Sequence, residues 1–250
     1  MFNLFKKTKK QLISLTDIGH RQVNQDAYES LSVGNNHLLC TADGLGGHEA
    51  GEIAAKTLCN SMRMQFVDQM NQKTLDKETF QQHISKALEK TREILSNNSQ
   101  GKNAHTTMAL AWIDDTQVLT AHIGDSRVMA ISPKQGRLWR TRDHSVVQML
   151  VDHGEVAEED MGTHNEQGKL TKSISADKIV EASIKQHPKL NKDECLMACS
   201  DGFWEHISLD ELQKLAKNPT EKNLQSYINL AKKRAAPKSD NITVQIFVKL

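Results

Sequence analysis

The stretch LLCTADGLGGHEAGEIAA occupies residues 38–55. An apolar run ends at Asp43, and Gly44, Gly46 and Gly47 follow it. Then come His48 and two glutamates, and the chain turns into a helical pattern. Glycines this dense mean that the backbone bends sharply or that something comes close to it. A second stretch repeats the first half: LMACSDG, residues 196–202, is another apolar run that stops at an aspartate and a glycine, Asp201 and Gly202.

Working outward, three more aspartates stand at strand ends. TAHIGDS places Asp125 after a strand, KSDNITV places Asp240 before one, and NQDAY places Asp26 before an early one. An aspartate at a strand end is aimed by the sheet behind it. If these ends converge, their charges repel one another unless a cation neutralises them. An all-oxygen set suits a hard cation such as Mg²⁺ or Mn²⁺. A zinc site is not indicated, because HEAGE at 48–52 is not H-E-x-x-H. GLGGHEAG lacks the third glycine of a dinucleotide fingerprint and no βαβ pattern surrounds it. A lone Asp-Gly is ordinarily a turn. Two of them after matched strands, with GDS and SDN besides, call for another reading.

The wider pattern is α+β. Strands are expected near 11–16, 27–33 and 37–42. Helices are expected over 49–70, with Ala54, Leu58, Met62 and Phe66 four apart, and over 77–96, with Phe80, Ile84, Leu88 and Leu95 on one face. TMALAWI, QVLTAHI, RVMAIS and RLWRTR read as a meander. A helix is expected over 144–153, closed by Gly154, and others over 208–217 and 220–234. Residues 154–178 are polar and irregular, so a surface excursion is expected there. ECLMACS reads as a strand, and in the closing NITVQIFVKL the apolar Ile242, Val244, Ile246 and Val248 alternate as in a half-buried one.

Bulk properties narrow the function. The chain has 250 residues, 32 Lys+Arg against 31 Asp+Glu, 38% hydrophobic and 25% charged. That composition belongs to a globular protein, and a net charge of +1 argues against nucleic acid held by a general basic field. Four cysteines, Cys40, Cys59, Cys195 and Cys199, form no framework and read as reduced, which suits the cytoplasm. No apolar run is long enough for a transmembrane anchor. Residues 1–10 read as a basic tail before one domain over 11–250.

Seven segments, in order, resemble the PPM family, the metal-dependent protein phosphatases of type 2C in their compact bacterial form. They are GHRQVNQDA (19–27), ADGLGGHEAGEIAA (42–55), TTMALAWI (106–113), HIGDSRVMAI (122–131), TRDHSVVQMLVDHG (141–154), CSDGFWEHI (199–207) and SDNITVQIF (239–247). The resemblance implies a central antiparallel β-sandwich flanked by pairs of α-helices, a four-layer αββα arrangement, with the excursion at 154–178 as a flap beside the site. It implies hydrolysis of phosphoserine and phosphothreonine in proteins by a metal-activated water. The cofactor would be Mn²⁺ or Mg²⁺, two ions in the core site and a third, weaker one.

The same resemblance assigns roles to residues. Asp43 would bridge the two ions, the Gly44 carbonyl would bind one, and Asp201 and Asp240 would complete the site. Asp125 would help hold the third ion, and Asp26 would reach the ions through water. Arg21 would hold the substrate phosphate, its planar fork matched to phosphate oxygens; the other reading of this arginine is a surface ion pair. His48 has two readings, donor of a proton to the leaving alkoxide or brace of the glycine loop. His144 is expected to orient a helix start. On this reading the chain is a cytoplasmic monomer acting on phosphoproteins against a serine/threonine kinase. A scaffold that binds phosphoprotein without hydrolysis would lack a metal carboxylate, and all are present. Action on small phosphates or phosphodiesters stays open. AHTTM, with His105, and LTKSISA, with Lys172, depart from the family pattern and bear on substrate choice.

Overall fold

Alternation in the sequence becomes strands, and the three- and four-residue spacing becomes helices. The computed structural model describes residues 10–46, 50–72, 74–99, 101 and 103–249. The basic tail before residue 10 and His48 lie outside the described residues. In chain order come β1 (Lys10–Asp17), β2 (Ala27–Val33), β3 (Asn36–Ala42), β4 (Gly44–Leu45), α1 (Ala50–Phe66) and α2 (Lys77–Asn97). The middle contains β5 (His105–Thr106), β6 (Met108–Ile113), β7 (Gln117–Ile123), β8 (Arg127–Ser132), β9 (Gly136–Arg140) and α3 (Val146–Asp152). Then follow β10 (Ile174–Ser175), β11 (Ser183–Pro188), β12 (Cys195–Cys199), α4 (Asp201–Trp204), α5 (Leu209–Lys217), α6 (Glu221–Ala235) and β13 (Ile242–Lys249).

Two five-stranded antiparallel sheets, ordered β1-β13-β12-β8-β9 and β11-β7-β6-β3-β2, form the sandwich. Their inner faces meet through Leu39, Ala109, Ala111 and Val118 on one side and Val128, Ala130, Leu196, Ala198 and Phe247 on the other. The small residues let the sheets close on one another. The outer face of the second sheet is covered by α1 and α2, with Leu58, Met62, Phe66, Phe80 and Ile84 packed on Leu38, Leu110 and Trp112. The outer face of the first is covered by α5 and α6, with Leu212, Leu215, Leu224 and Ile228 on Met129, Met197, Val244 and Ile246. The fold is therefore α+β with four layers, helices outside and sheets inside. Each fully buried large apolar side chain stabilises such layers by roughly 1.5–3 kcal/mol before entropy is counted.

Some boundaries differ from the sequence reading. α1 stops at Phe66, and a 3₁₀ turn over Asp68–Asn71 follows, because Asn36 Nδ2 donates to the carbonyls of Met70 and Gln72 and bends the chain back onto β3. α3 begins at Val146, and its N-cap is Ser145, whose hydroxyl accepts from the Gln148 amide at 3.3 Å. Gly154 closes it with φ +75°, as expected. Within the 154–178 excursion lie a 3₁₀ helix, Glu158–Thr163, and the two-residue β10. β10, β5 and β4 form a small third sheet. All four cysteines are buried and free. Among the described residues no helix is long and apolar enough to cross a membrane.

Candidate metal centre and active site

Register carries the five aspartates to one end of the sandwich. In the second sheet Ala27 pairs with Ala42, so Asp26, just before β2, stands beside Asp43, just after β3. In the first sheet Cys199 pairs with Val244, which brings Asp201, after β12, beside Asp240, before β13. Asp125 lies in the turn from β7 to β8, which crosses between the sheets at that same end. A hydrogen bond joins the two halves: Ser200 Oγ donates to Asp26 Oδ2 at 2.8 Å.

Backbone contacts hold Asp43 in place. Its amide donates to Thr107 Oγ1 at 3.0 Å, and its carbonyl accepts from the Thr107 amide and from Thr106 Oγ1, each at 2.9 Å. Thr107 Oγ1 also meets Ser126 Oγ at 2.6 Å, next to Asp125. The two threonines of AHTTM thus tie the Asp43 loop to the Asp125 turn. Gly44 is required for a reason the sequence did not reveal. A Cβ there would stand 2.1 Å from the Gly51 carbonyl oxygen and 2.6 Å from that of Gln25. The constraint is the approach of the loop backbone to the first turn of α1, and Gly51 is its counterpart, with a Cβ 2.7 Å from the Gly44 carbonyl.

Asp125 is held from three sides. Trp204 Nε1 donates to its carbonyl at 2.9 Å. The Arg127 guanidinium lies 3.3 Å from the centre of the Trp204 ring and makes a bidentate pair with buried Asp143. On the third side Gly124, with φ +89°, turns the chain against Thr107. Asp240 accepts from Arg21 Nη2 through Oδ2 and from the Asn241 amide through Oδ1, both at 2.7 Å. Asn241, a residue the sequence reading passed over, pins the 18–25 loop: Nδ2 donates to the Ile18 and Val23 carbonyls, and Oδ1 accepts from the Gln25 amide. Its only signal in the sequence was its place in SDN.

The electrostatics show crowding. Burial, then the charges of Asp201, Asp26 and Asp125, push the Asp43 carboxyl well above its ordinary range. Burial, then Asp201, does the same to Asp125. Burial, then Asp240, raises Asp201. Asp26 is raised by burial to about 7 although Ser200 and Thr243 hydrogen-bond it. Glu205, one turn beyond Asp201 and also unremarked in the sequence, is driven by burial and then by Asp201 up to about 9. Among the described residues Asp201 Oδ1 is buried and finds no hydrogen-bond partner. Leaving a buried carboxylate oxygen unpaired is costly, and a cation would satisfy it. Among the described residues no three His, Cys, Asp or Glu side chains close around a single point. The donor set that could hold hard cations is Asp43, Asp201 and Asp240 with the Gly44 carbonyl, and Asp125 apart from them.

A sequence model of the family described as Protein phosphatase 2C matches residues 16–239. The chain belongs to the protein phosphatase 2C family. It is with that family an enzyme, a protein phosphatase. It is 27% identical to protein phosphatase PhpP of Streptococcus pneumoniae over 93% of this chain and 94% of that one. Its fold matches the serine/threonine phosphatase of S. agalactiae with a TM-score of 0.80 and 27% identity, covering 97% of this phosphatase and 100% of that chain. It also matches the catalytic domain of the serine/threonine protein phosphatase PstP, solved with 2 manganese ions, with a TM-score of 0.78 and 21% identity, covering 96% and 97% of the two chains.

Proposed function

We propose that this phosphatase hydrolyses phosphoserine and phosphothreonine in proteins at a site for two Mn²⁺ or Mg²⁺ ions. The observation that carries the reading is the unpaired, buried Asp201 Oδ1 within a group of aspartates that raise one another's pKa values. When bound, the ions supply acidity that makes water nucleophilic at neutral pH and charge that steadies the phosphoryl oxygens.

This chain's residues do the rest. Asp43, Asp201, Asp240 and the Gly44 carbonyl would hold the two ions, and Asp125 would hold a third. Asp26, fixed by Ser200, accepts hydrogen bonds from water beside them. Arg21 binds the phosphate oxygens from the rim, where it is more than half exposed and within reach of solvent-borne substrate. Cys195 and Cys199 are poor nucleophiles, because burial pushes their thiols up to about 12. His48 is assigned to the proton transfer or to bracing the loop. Residues 11–250 act as one catalytic domain, monomeric and cytoplasmic, reversing a serine/threonine kinase.

Phosphate release from a phosphothreonine peptide with Mn²⁺ tests the reading. Release by the wild type, abolished by chelator and by Asp201→Asn, is expected. Release by Asp201→Asn at the wild-type rate would contradict the ligand assignment, and release only from a phosphodiester would contradict the substrate class.

A further inference from the structure

His144 does not cap α3; Ser145 does. Its polar groups are used elsewhere, and together they join the Asp125 turn to Thr171 of the 154–178 excursion and to Ser183 just beyond it. The His144 amide donates to the Gly124 carbonyl at 2.9 Å, and the Gly124 amide donates back to His144 Nδ1 at 3.2 Å. On the other side the Thr171 amide donates to the His144 carbonyl at 2.8 Å. His144 Nε2 meets Ser183 Oγ, at the start of β11, at 2.9 Å. Next along the chain, Ser145 bridges Leu170, and the Val146 amide donates to the Lys169 carbonyl.

The tautomer follows from these partners. A backbone amide can only donate, so Nδ1 carries the lone pair and Nε2 the proton, which goes to Ser183. The ring is kept neutral: burial first, then His122, Lys172 and Arg142, push it down to about 4. His122 lies flat against it, ring centres 4.6 Å apart and 6° from parallel, and is fixed in turn by donating from Nε2 to the Arg142 carbonyl at 2.7 Å. The imidazole is therefore held on both faces of its function, as acceptor toward the metal-site turn and as donor toward the flap stem.

We propose that His144 is a positioning residue: through the Gly124 amide its Nδ1 sets the turn that aims Asp125, and through Ser183 and Thr171 it links that turn to the flap. The proposal rests on the assignment of Asp125 to a cation. Groups that orient a metal ligand change metal affinity by about 10–100-fold when removed.

The test compares the full-length wild type with His144→Leu, His144→Asn and His144→Gln. Asparagine offers Oδ1 where Nδ1 stands, whereas glutamine offers a donor toward Ser183 and no acceptor at Gly124. Exchange of the Gly124 amide and calorimetric titration with Mn²⁺ are read alongside the Mn²⁺ concentration for half-maximal phosphopeptide hydrolysis. His144→Leu and His144→Gln should speed Gly124 exchange and weaken the weakest Mn²⁺ event about tenfold or more, with the tighter events unchanged. His144→Asn should return both readouts toward wild type. Wild-type Mn²⁺ binding in His144→Gln, or equal loss in His144→Asn and His144→Gln, overturns the proposal, and these two polar variants decide it if His144→Leu does not fold. A wild type without a weak Mn²⁺ event overturns it too. A wild type that binds Mn²⁺ yet leaves phosphopeptides intact overturns the proposed function instead, since exchange and calorimetry need no turnover.

Discussion

Arg21 and Asp240 meet across 219 residues of sequence, Nη2 to Oδ2 at 2.7 Å. The contact is the work of two loops that interlock. Gly19, with φ +64°, places where a Cβ would be only 2.0 Å from the Asp240 carbonyl oxygen, and the His20 amide donates to the Ser239 carbonyl at 3.1 Å. The residue assigned to phosphate is thus built against a residue assigned to metal. At 56% and 40% side-chain exposure the pair itself is worth little to stability, about 0–1 kcal/mol.

Arg21→Ala should therefore leave folding nearly unchanged and lower kcat/KM on a phosphopeptide. A hydrogen bond to a charged group is worth about 1.5–3 kcal/mol, which corresponds to roughly 10–100-fold. Arg21→Lys should fall between, since it keeps the charge and loses the fork. Steady-state kinetics with saturating Mn²⁺ check this; an unchanged kcat/KM in Arg21→Ala would remove Arg21 from the site and leave the surface ion pair as its role.

Gly44→Ala and Gly51→Ala should each destabilise the protein by at least about 1–3 kcal/mol, because either methyl group is driven into the backbone of the opposing glycine. Gly34→Ala is the comparison. It has φ +59° with open space around its Cβ, so it should cost about 1 kcal/mol from backbone conformation alone. Urea unfolding with chelator present separates the two. Equal costs at all three positions would show that the loop backs away from α1 without strain.

What the sequence revealed and what it concealed divide along physical lines. Asp43, Asp201 and Asp240 were legible because each stands next to an apolar strand, Asp26 because it stands just before β2, and antiparallel register leaves strand ends few places to go. The two long helices were legible by period, and β13 was legible as a strand but is not half-buried: it lies between β1 and β12, and Thr243, Gln245 and Phe247 on its second face are buried too. β11 was not, because SIKQHP is an edge strand whose exposed side chains carry no alternation, and its final proline is tolerated at an edge. Nor were β4, β5 and β10, two residues each, whose pairing is set by tertiary contacts. At Gly44 the sequence pointed to a close approach but could not show that Gly51 is a neighbour it must admit. Glu205 and Asn241 stand next to recognisable motifs, yet their burial and partners appear only when distant segments meet.

The flap is anchored by charge. Glu158, at the start of the 3₁₀ segment, accepts from Arg137 Nη2 at 2.7 Å and from Arg140 Nε. Burial would raise its carboxyl, but these arginines outweigh it and hold it at about 2, below its usual 4.5. A depressed folded value stabilises the native state above the unfolded pKa, and that contribution is lost as pH falls from about 4.5 through about 2. Because the side chain is 34% exposed, screening limits it to about 1 kcal/mol. Glu158→Gln should be less stable than wild type at pH 6, and the difference should vanish near pH 2. A gap that persists at pH 2 would mean that lost packing, not charge, is responsible.

The most direct test of the metal-centre assignment is anomalous diffraction at the manganese edge from crystals grown with Mn²⁺. Two peaks sharing the Asp43 carboxylate, one touching Asp201 and Asp240, are the expected result. Strong manganese peaks elsewhere, with none at the Asp43 end of the sandwich, would contradict it.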